Sequence, residues 1–141
     1  MTVRFLDTNI LLRYFTRDDE EKAGRALTLL LRDERGLERV ETTLPVIFET
    51  VYTLQRRYGV VRGKIRELVT NVIAIPGVRL PEKDVCEAAL TLYASSPKLS
   101  FADAYSVCYM RERGLTDIHN WDTDFDSVDG IVRIEPGGGL G

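Results

Sequence analysis

The chain has 141 residues, of which 44% are hydrophobic and 29% are charged, and its formal net charge is −3. These values fit one soluble globular domain and exclude a protein that attracts nucleic acid through an overall basic surface. No apolar run approaches the ~20 residues that span a membrane, and no signal peptide is recognisable at the start. Cys86 and Cys108 form no C-x-x-C pair, so we expect reduced thiols and a cytoplasmic location.

Short apolar runs alternate with longer segments whose apolar residues recur at helical spacing, and glycines or prolines mark most boundaries. In chain order, the sequence predicts a strand at residues 3–6, helices at 8–15 and 18–35, a strand at 40–42, helices at 43–58 and 61–74, a strand at 78–80, helices at 81–95 and 100–113, and strands at 117–119 and 131–134. This alternation predicts a three-layer α/β sandwich around a largely parallel sheet of about five strands. We expect one domain over residues 1–136 and a flexible Gly-rich tail over residues 137–141.

Four acidic residues lie where predicted elements end or pass through apolar sequence: Asp7, Glu49, Asp103 and Asp122. Asp7 closes the first strand, Glu49 interrupts an apolar helix, and Asp103 lies close to a helix start. Carboxylates in apolar surroundings cost several kcal/mol unless they are paired, so acids that converge favour binding of a metal ion. Ligand sites in parallel α/β sheets lie beyond the carboxyl ends of the strands. We therefore expect the four acids to meet in one crevice.

Each of these acids also has an ordinary structural interpretation. Asp7 could cap the following helix, Asp103 could form a capping box with Ser100, and Asp122 could be a loop acid. Glu49 could lie on the exposed face of its helix. The functional interpretation therefore depends on the combination, because hard oxygen ligands without histidine or thiolate select Mg²⁺ or Mn²⁺ over Zn²⁺.

Basic residues near these acids are candidates for contact with nucleic-acid phosphates, and a solvated helix face is the alternative. The densest stretch comprises Arg56, Arg57, Arg62, Lys64 and Arg66, while Arg13 and Arg17 lie nearer the first acid. We expect His119, the single histidine, to have a structural role and Trp121 to lie in the core.

Four collinear pieces of the chain resemble the PIN domain family, and specifically its VapC-type toxin branch. They are residues 5–11 (FLDTNIL), 44–52 (LPVIFETVY), 101–104 (FADA) and 121–126 (WDTDFD). The resemblance implies a parallel sheet in strand order 3-2-1-4-5, in which the strands that precede Asp7 and Asp122 are neighbours. Asn120 stands where the family often has threonine, and its side chain can still donate a hydrogen bond.

The same resemblance implies metal-dependent endonucleolytic cleavage of single-stranded or structured RNA, in which water attacks the phosphodiester and leaves a 5′-phosphate. Asp7, Glu49 and Asp103 would be the principal ligands of Mg²⁺ or Mn²⁺, and Asp122 would complete the cluster. Thr8 and Asn9 would support the site, and Asp124 would be a more distant acid, with a solvated loop role as its alternative. Among the basic residues considered above, Arg13, Arg17, Arg56 and Arg57 are the candidates for contact with the RNA backbone. The family also implies a homodimer and a cognate antitoxin protein that blocks the site.

The alternative function is a non-catalytic module, either a receiver-like phospho-acceptor domain or a nucleic-acid binder. A receiver needs an acceptor aspartate at the end of its third strand and a lysine near its last strand. Residues 78–81 (VRLP) and 131–134 (IVRI) supply neither. A binder without activity would lack one of the four acids, and all four are present. We therefore expect a ribonuclease.

Overall fold

The computed structural model describes residues 2–137. Its helices are α1 (Thr8–Thr16), α2 (Glu20–Glu34), α3 (Leu44–Arg56), α4 (Arg62–Ile73), α5 (Lys83–Ser95) and α6 (Phe101–Glu112). Its strands are β1 (Val3–Phe5), β2 (Arg39–Glu41), β3 (Val78–Arg79), β4 (Asp117–His119) and β5 (Val132–Ile134). The predicted alternation of strands and helices is confirmed, although the short 3-10 turn at Thr123–Ser127 was not predicted. Most of the predicted Gly-rich tail, residues 138–141, lies outside the described residues.

The strands form two parallel sheets rather than one. β2 lies between β1 and β3 in the first sheet, and β4 pairs with β5 in the second. The predicted α/β class is confirmed, and the predicted orders 3-2-1 and 4-5 hold within the separate sheets. The predicted pairing of the first and fourth strands is wrong, because β1 and β4 belong to different sheets.

The missing pair leaves one edge of β1 open. Val3 is 38% exposed and Phe5 is 58% exposed. The second sheet is instead connected to α6 through apolar contacts. Ile118 of β4 and Ile131, which precedes β5, pack with Val107 and Met110 of α6. An exposed edge strand is tolerated here because it is only three residues long.

Two apolar clusters hold these elements together. The main core joins the first sheet to the helices, and its largest fully buried side chains include Leu6, Leu11, Ile47, Leu54, Ile65, Ile73, Leu90 and Tyr93. The minor core consists of Leu99, Val107, Met110, Phe125 and Ile131. The first three candidate acids lie on elements of the main core, whereas Asp122 lies on the 3-10 turn that the minor core holds.

Two further features are the cysteines and the hydropathy of the helices. Cys86 and Cys108 are buried, and neither forms a disulfide. Burial raises the pKa of the Cys86 thiol to about 12, which keeps this side chain protonated. Across residues 2–137, none of the helices combines the length and the apolar character that a membrane span needs.

Candidate active site

Asp7 follows β1 and occupies the N-cap position of α1. Its side chain is exposed and forms no capping hydrogen bond. The capping interpretation was therefore correct about the position of Asp7 but wrong about the bond. A carboxylate at the positive end of a helix that is not used for capping remains available to a cation or to water.

Thr8 connects this segment to the second candidate acid. The Thr8 side chain is buried, and its hydroxyl donates a hydrogen bond of 3.1 Å to Oε2 of Glu49, 41 residues further along the chain. Glu49 lies on the exposed face of α3, which packs against α1. The bond fixes one Glu49 oxygen beside the start of α1, and therefore beside Asp7.

An aromatic cluster places the start of α6 next to α3. The ring centroid of Phe48 lies 4.9 Å from that of Phe101 and 5.5 Å from that of Tyr105. Tilted and edge-on ring pairs of this kind contribute about 0.5–1.5 kcal/mol each beyond the area they bury. Because Phe48 directly precedes Glu49, and Phe101 lies two residues before Asp103, the cluster brings the second and third acidic segments to one side of the molecule.

Asp103 forms the predicted capping box at the start of α6. Its backbone N–H donates to Oγ of Ser100 at 3.0 Å, and its Oδ2 accepts from the backbone N–H of Ser100 at 3.4 Å. The structural interpretation of Asp103 is thus confirmed. The box occupies only Oδ2 of the carboxylate, so it does not exclude a second role for Oδ1.

Asp122 follows β4 and lies at the start of the 3-10 turn. Its Oδ1 accepts a hydrogen bond of 2.9 Å from the backbone N–H of Asp124, and it caps the 3-10 turn. Asn120 accepts rather than donates, because its Oδ1 binds the backbone N–H of Asp122 at 2.7 Å. Arg133 of β5 steadies the turn through a 2.8 Å ion pair with Asp126. The loop interpretation of Asp122 therefore describes its observed contacts.

The predicted convergence of all four acids is not seen. Within residues 2–137, no group of three or more Asp, Glu, His or Cys side chains is close enough to hold a metal ion. The separate sheets account for the position of Asp122 alone, because Asp122 follows β4 and β4 does not pair with β1. The assumed apolar surroundings are also wrong, since Asp7, Glu49 and Asp122 are exposed. The donor chemistry suits a hard cation, but these positions do not form a complete site.

The four candidate cations differ in their contacts. Arg13 forms an ion pair of 2.9 Å with Asp18, whose hydrogen bond and charge raise the pKa of Arg13. Arg17 pairs with Glu20 at 2.9 Å. By contrast, the guanidinium groups of Arg56 and Arg57 lie over the rings of Tyr52 and Tyr58, with carbon-to-centroid distances of 5.8 and 5.9 Å. Arg56 and Arg57 are therefore the better candidates for phosphate contact.

Arg62 has a positioning role that the sequence did not reveal. Its Nη1 donates to the carbonyl oxygens of Tyr93, Ser96 and Leu99 at 3.0, 3.2 and 2.6 Å. Its guanidinium carbon also lies 4.2 Å from the centroid of the Tyr93 ring. Arg62 thus holds the turn between α5 and α6, which leads directly into the Ser100 cap. In the sequence it was one member of the basic stretch considered for phosphate contact, with a solvated helix face as the alternative.

Trp121 is more exposed, and Asp33 more deeply buried, than is usual for these residue types. Trp121 is 67% exposed, so the prediction that it lies in the core is wrong. Asp33, near the end of α2, is only 1% exposed, and neither carboxylate oxygen has a hydrogen-bond partner among residues 2–137. Its neighbours in the sequence are charged, so nothing in the pattern distinguished Asp33 from an exposed helix acid.

Taken together, the chain is an α/β domain with exposed acids beyond the carboxyl end of a parallel sheet. A family model of the PIN domain matches residues 4–131. The chain therefore belongs to the PIN domain family, and the resemblance seen in the sequence is confirmed. Nucleases of this family generally use divalent metal ions, which agrees with the oxygen-only donor set. The family membership supports a nuclease function.

Comparison with individual proteins adds little to the family assignment. The crystal structure of Mycobacterium tuberculosis VapC20, described as a sarcin-ricin loop cleaving toxin, is 24% identical in sequence. The match covers 96% of this chain and 100% of that one, with a TM-score of 0.38. No curated protein matches the chain significantly.

Proposed function

We propose that the protein is a metal-dependent endoribonuclease of the VapC-type toxin branch that cleaves single-stranded RNA. The observation that carries this proposal is the hydrogen bond from Thr8 to Glu49. It joins two of the four acidic segments of the PIN resemblance, which are 41 residues apart in the chain. An exposed glutamate held by a buried hydroxyl is arranged for binding rather than for solvation alone.

In this proposal Asp7, Glu49 and Asp103 bind Mg²⁺ or Mn²⁺, and Asp122 completes the set directly or through water. Thr8 and Asn9 support the site, and Asp124 is a more distant acid. A bound divalent ion would activate water and neutralise charge on the phosphodiester. Because the acids are not gathered among residues 2–137, binding requires that side chains move from the positions seen here. The carboxylates would hold the ion, and the solvent around Asp7, Glu49 and Asp122 limits the desolvation cost of their charges.

The proposal is tested by incubating the purified protein with single-stranded RNA in Mg²⁺, in Mn²⁺ and in EDTA. We expect cleavage in either metal, none in EDTA, and products with 5′-phosphate and 3′-hydroxyl ends. Asp7→Asn and Glu49→Gln should each reduce the rate by at least about 100-fold, because partners merely adjacent to metal ligands already matter 10- to 100-fold. Asp129→Asn, which changes an exposed acid outside the proposed site, should retain the wild-type rate.

Cleavage that persists in EDTA, or in both Asp7→Asn and Glu49→Gln, would contradict the proposal. Binding of RNA without any cleavage would favour the alternative of a non-catalytic nucleic-acid binder. The receiver-like alternative is replaced by the PIN family assignment. The family resemblance also supports a cytoplasmic homodimer with a cognate antitoxin. Sedimentation of the purified protein tests whether it is a homodimer, and co-purification with the product of an adjacent gene tests whether it binds an antitoxin.

A further inference from the structure

A groove of about 900 Å³ opens beside Glu49, between α3 and residues 98–102. Its volume lies within the range of about 300–1,000 Å³ that is usual for ligand sites. Glu49 stands on one wall, and Phe101 and Ala102 stand on the other, immediately before Asp103. The groove therefore leads to two of the acids proposed to bind the metal ion.

Tyr52 lines this groove from α3, almost one helical turn beyond Glu49. Its side chain is 63% exposed, and the guanidinium carbon of Arg56 lies 5.8 Å from the ring centroid. An exposed aromatic ring in a groove is a platform on which any nucleobase can stack, because every base has a π-face. The ring is positioned to receive a flat group that lies beside Glu49.

The groove contains three cationic side chains, which differ in whether they have hydrogen-bond or ion-pair partners within the chain. Arg62 is held by three backbone carbonyls, so it shapes the wall. Within residues 2–137, neither Arg56 nor Lys98 forms an ion pair with a carboxylate. Arg56 lies on the α3 side and Lys98 on the side of the turn before α6. In a chain with net charge −3, unpaired cations on both sides of one groove fit a polyanion.

We propose that this groove binds single-stranded RNA next to the cleaved phosphate, with a base stacked on Tyr52 and the adjoining phosphates held by Arg56 and Lys98. The inference rests on the proposed ribonuclease function and specifies how the substrate is held. A second copy of the chain or a protein partner could also cover an aromatic surface. The pair of unpaired cations on opposite walls favours the nucleic acid, because successive phosphates of one strand carry negative charge to both walls.

The test measures binding of a fluorescein-labelled 12-nucleotide single-stranded RNA of mixed sequence by fluorescence anisotropy, in EDTA so that the RNA stays intact. Tyr52→Ala should weaken binding by about 5- to 100-fold, whereas Tyr52→Phe should keep most of the affinity because the ring is retained. The double variant Arg56→Gln with Lys98→Gln should lower the slope of log affinity against log salt by about 1.4, or about 0.7 for each lost phosphate contact. A change of slope identifies charge contacts, because a general loss of folding would not produce it.

The chain contains a matched control for the Tyr52–Arg56 pair. Tyr109 of α6 and Arg113, the residue that follows α6, have the same spacing of four residues, with the guanidinium carbon 3.7 Å from the ring centroid, but they do not line the groove. Tyr109→Ala should bind the RNA like the wild type. An equal loss in Tyr52→Ala and Tyr109→Ala would overturn the proposal.

The remaining outcomes separate the groove from the enzyme activity. If the wild type cleaves RNA while the groove variants keep its affinity and salt slope, the groove proposal fails and the ribonuclease stands. If binding depends on the groove but no RNA is cleaved, the ribonuclease fails and the groove remains an RNA site. If Tyr52→Ala changes the sedimentation coefficient without changing RNA affinity, the groove is a protein interface and the proposal is overturned.

Discussion

The two ends of the first sheet hold acidic residues in opposite environments. At the carboxyl end, Asp7 is exposed and Glu49 accepts a hydrogen bond from Thr8. At the amino end, Asp33 is 1% exposed beside Gly77 and Glu38, and neither of its oxygens has a partner among residues 2–137. A carboxylate is inexpensive where water solvates it and costly where it is buried. The acids with a proposed function are thus exposed ones whose charges add little desolvation energy to the folded state. The acid whose burial lowers the free energy of unfolding lies at the other end of the sheet.

The largest expected effect is on stability at the amino end. Burial first, and the charge of Glu38 second, raise the pKa of Asp33 from 3.8 to about 6. Because the pKa of Asp33 is higher in the folded state than in the unfolded state, its protonation stabilises the fold. This contribution is complete below pH 3.8 and is lost as the pH rises through 6. The wild type should therefore lose up to about 3 kcal/mol of unfolding free energy over this range. Asp33→Asn should lose much less, and should be the more stable protein at neutral pH.

Urea unfolding at a series of pH values measures this difference. Asp129→Asn is the control, because Asp129 is exposed and its replacement should leave the pH dependence of the wild type unchanged. If Asp33→Asn were less stable than the wild type at neutral pH, the buried carboxylate would have a stabilising partner in solution. The contrast between the two ends of the sheet would then be lost.

The next effect is at the carboxyl end and concerns the single bond that joins two acidic segments. Thr8→Val keeps the shape of the buried side chain but removes the hydroxyl that donates to Glu49. If Glu49 binds the metal ion, loss of a partner that orients it should reduce Mn²⁺ affinity or the cleavage rate by about 10- to 100-fold. Calorimetric titration with Mn²⁺ and a single-turnover cleavage assay measure the two quantities.

Thr50→Val provides the matched control for Thr8→Val. Thr50 is fully buried in α3, next to Glu49 in the sequence, and its hydroxyl donates to the backbone carbonyl of Val46 at 2.7 Å. Its replacement should leave metal affinity and cleavage close to those of the wild type. Wild-type cleavage by Thr8→Val would show that Glu49 does not depend on this bond for its role.

The sequence was sufficient for the elements and for the family, because each depends on local patterns. The predicted helices and the Ser100–Asp103 capping box are confirmed, and a left-handed Gly36 follows α2. Pairing between strands depends instead on long-range contacts. The pattern around β4 carries little apolar signal, and its residues pack with Val107 and Met110 through the minor core instead of pairing with β1.

Burial of charged residues was the least predictable property. Asp33 and Glu49 both lie in helices, yet the residue within charged sequence is buried and the residue within apolar sequence is exposed. The reason is helical periodicity, because a position one residue away on a helix turns by about 100° and can face solvent. The same limit applies to Arg62, whose three carbonyl partners lie 31 to 37 residues away. Such contacts have no signature in a local window.

The smallest expected effect separates the two roles of Asp103. Ser100→Ala removes the side chain that accepts from the Asp103 backbone N–H, and it should lower the unfolding free energy by about 1 kcal/mol. Asp103→Asn keeps a side-chain oxygen that can accept from the Ser100 backbone N–H, so its stability should change by less than about 0.5 kcal/mol. If Asp103 also binds the metal ion, the same variant should lose cleavage, because a neutral amide is a much weaker ligand for a hard cation. Thermal unfolding and cleavage measured on the same preparations give both quantities. A variant that cleaves like the wild type would leave Asp103 with its capping role alone and would reduce the proposed metal ligands on the main core to Asp7 and Glu49.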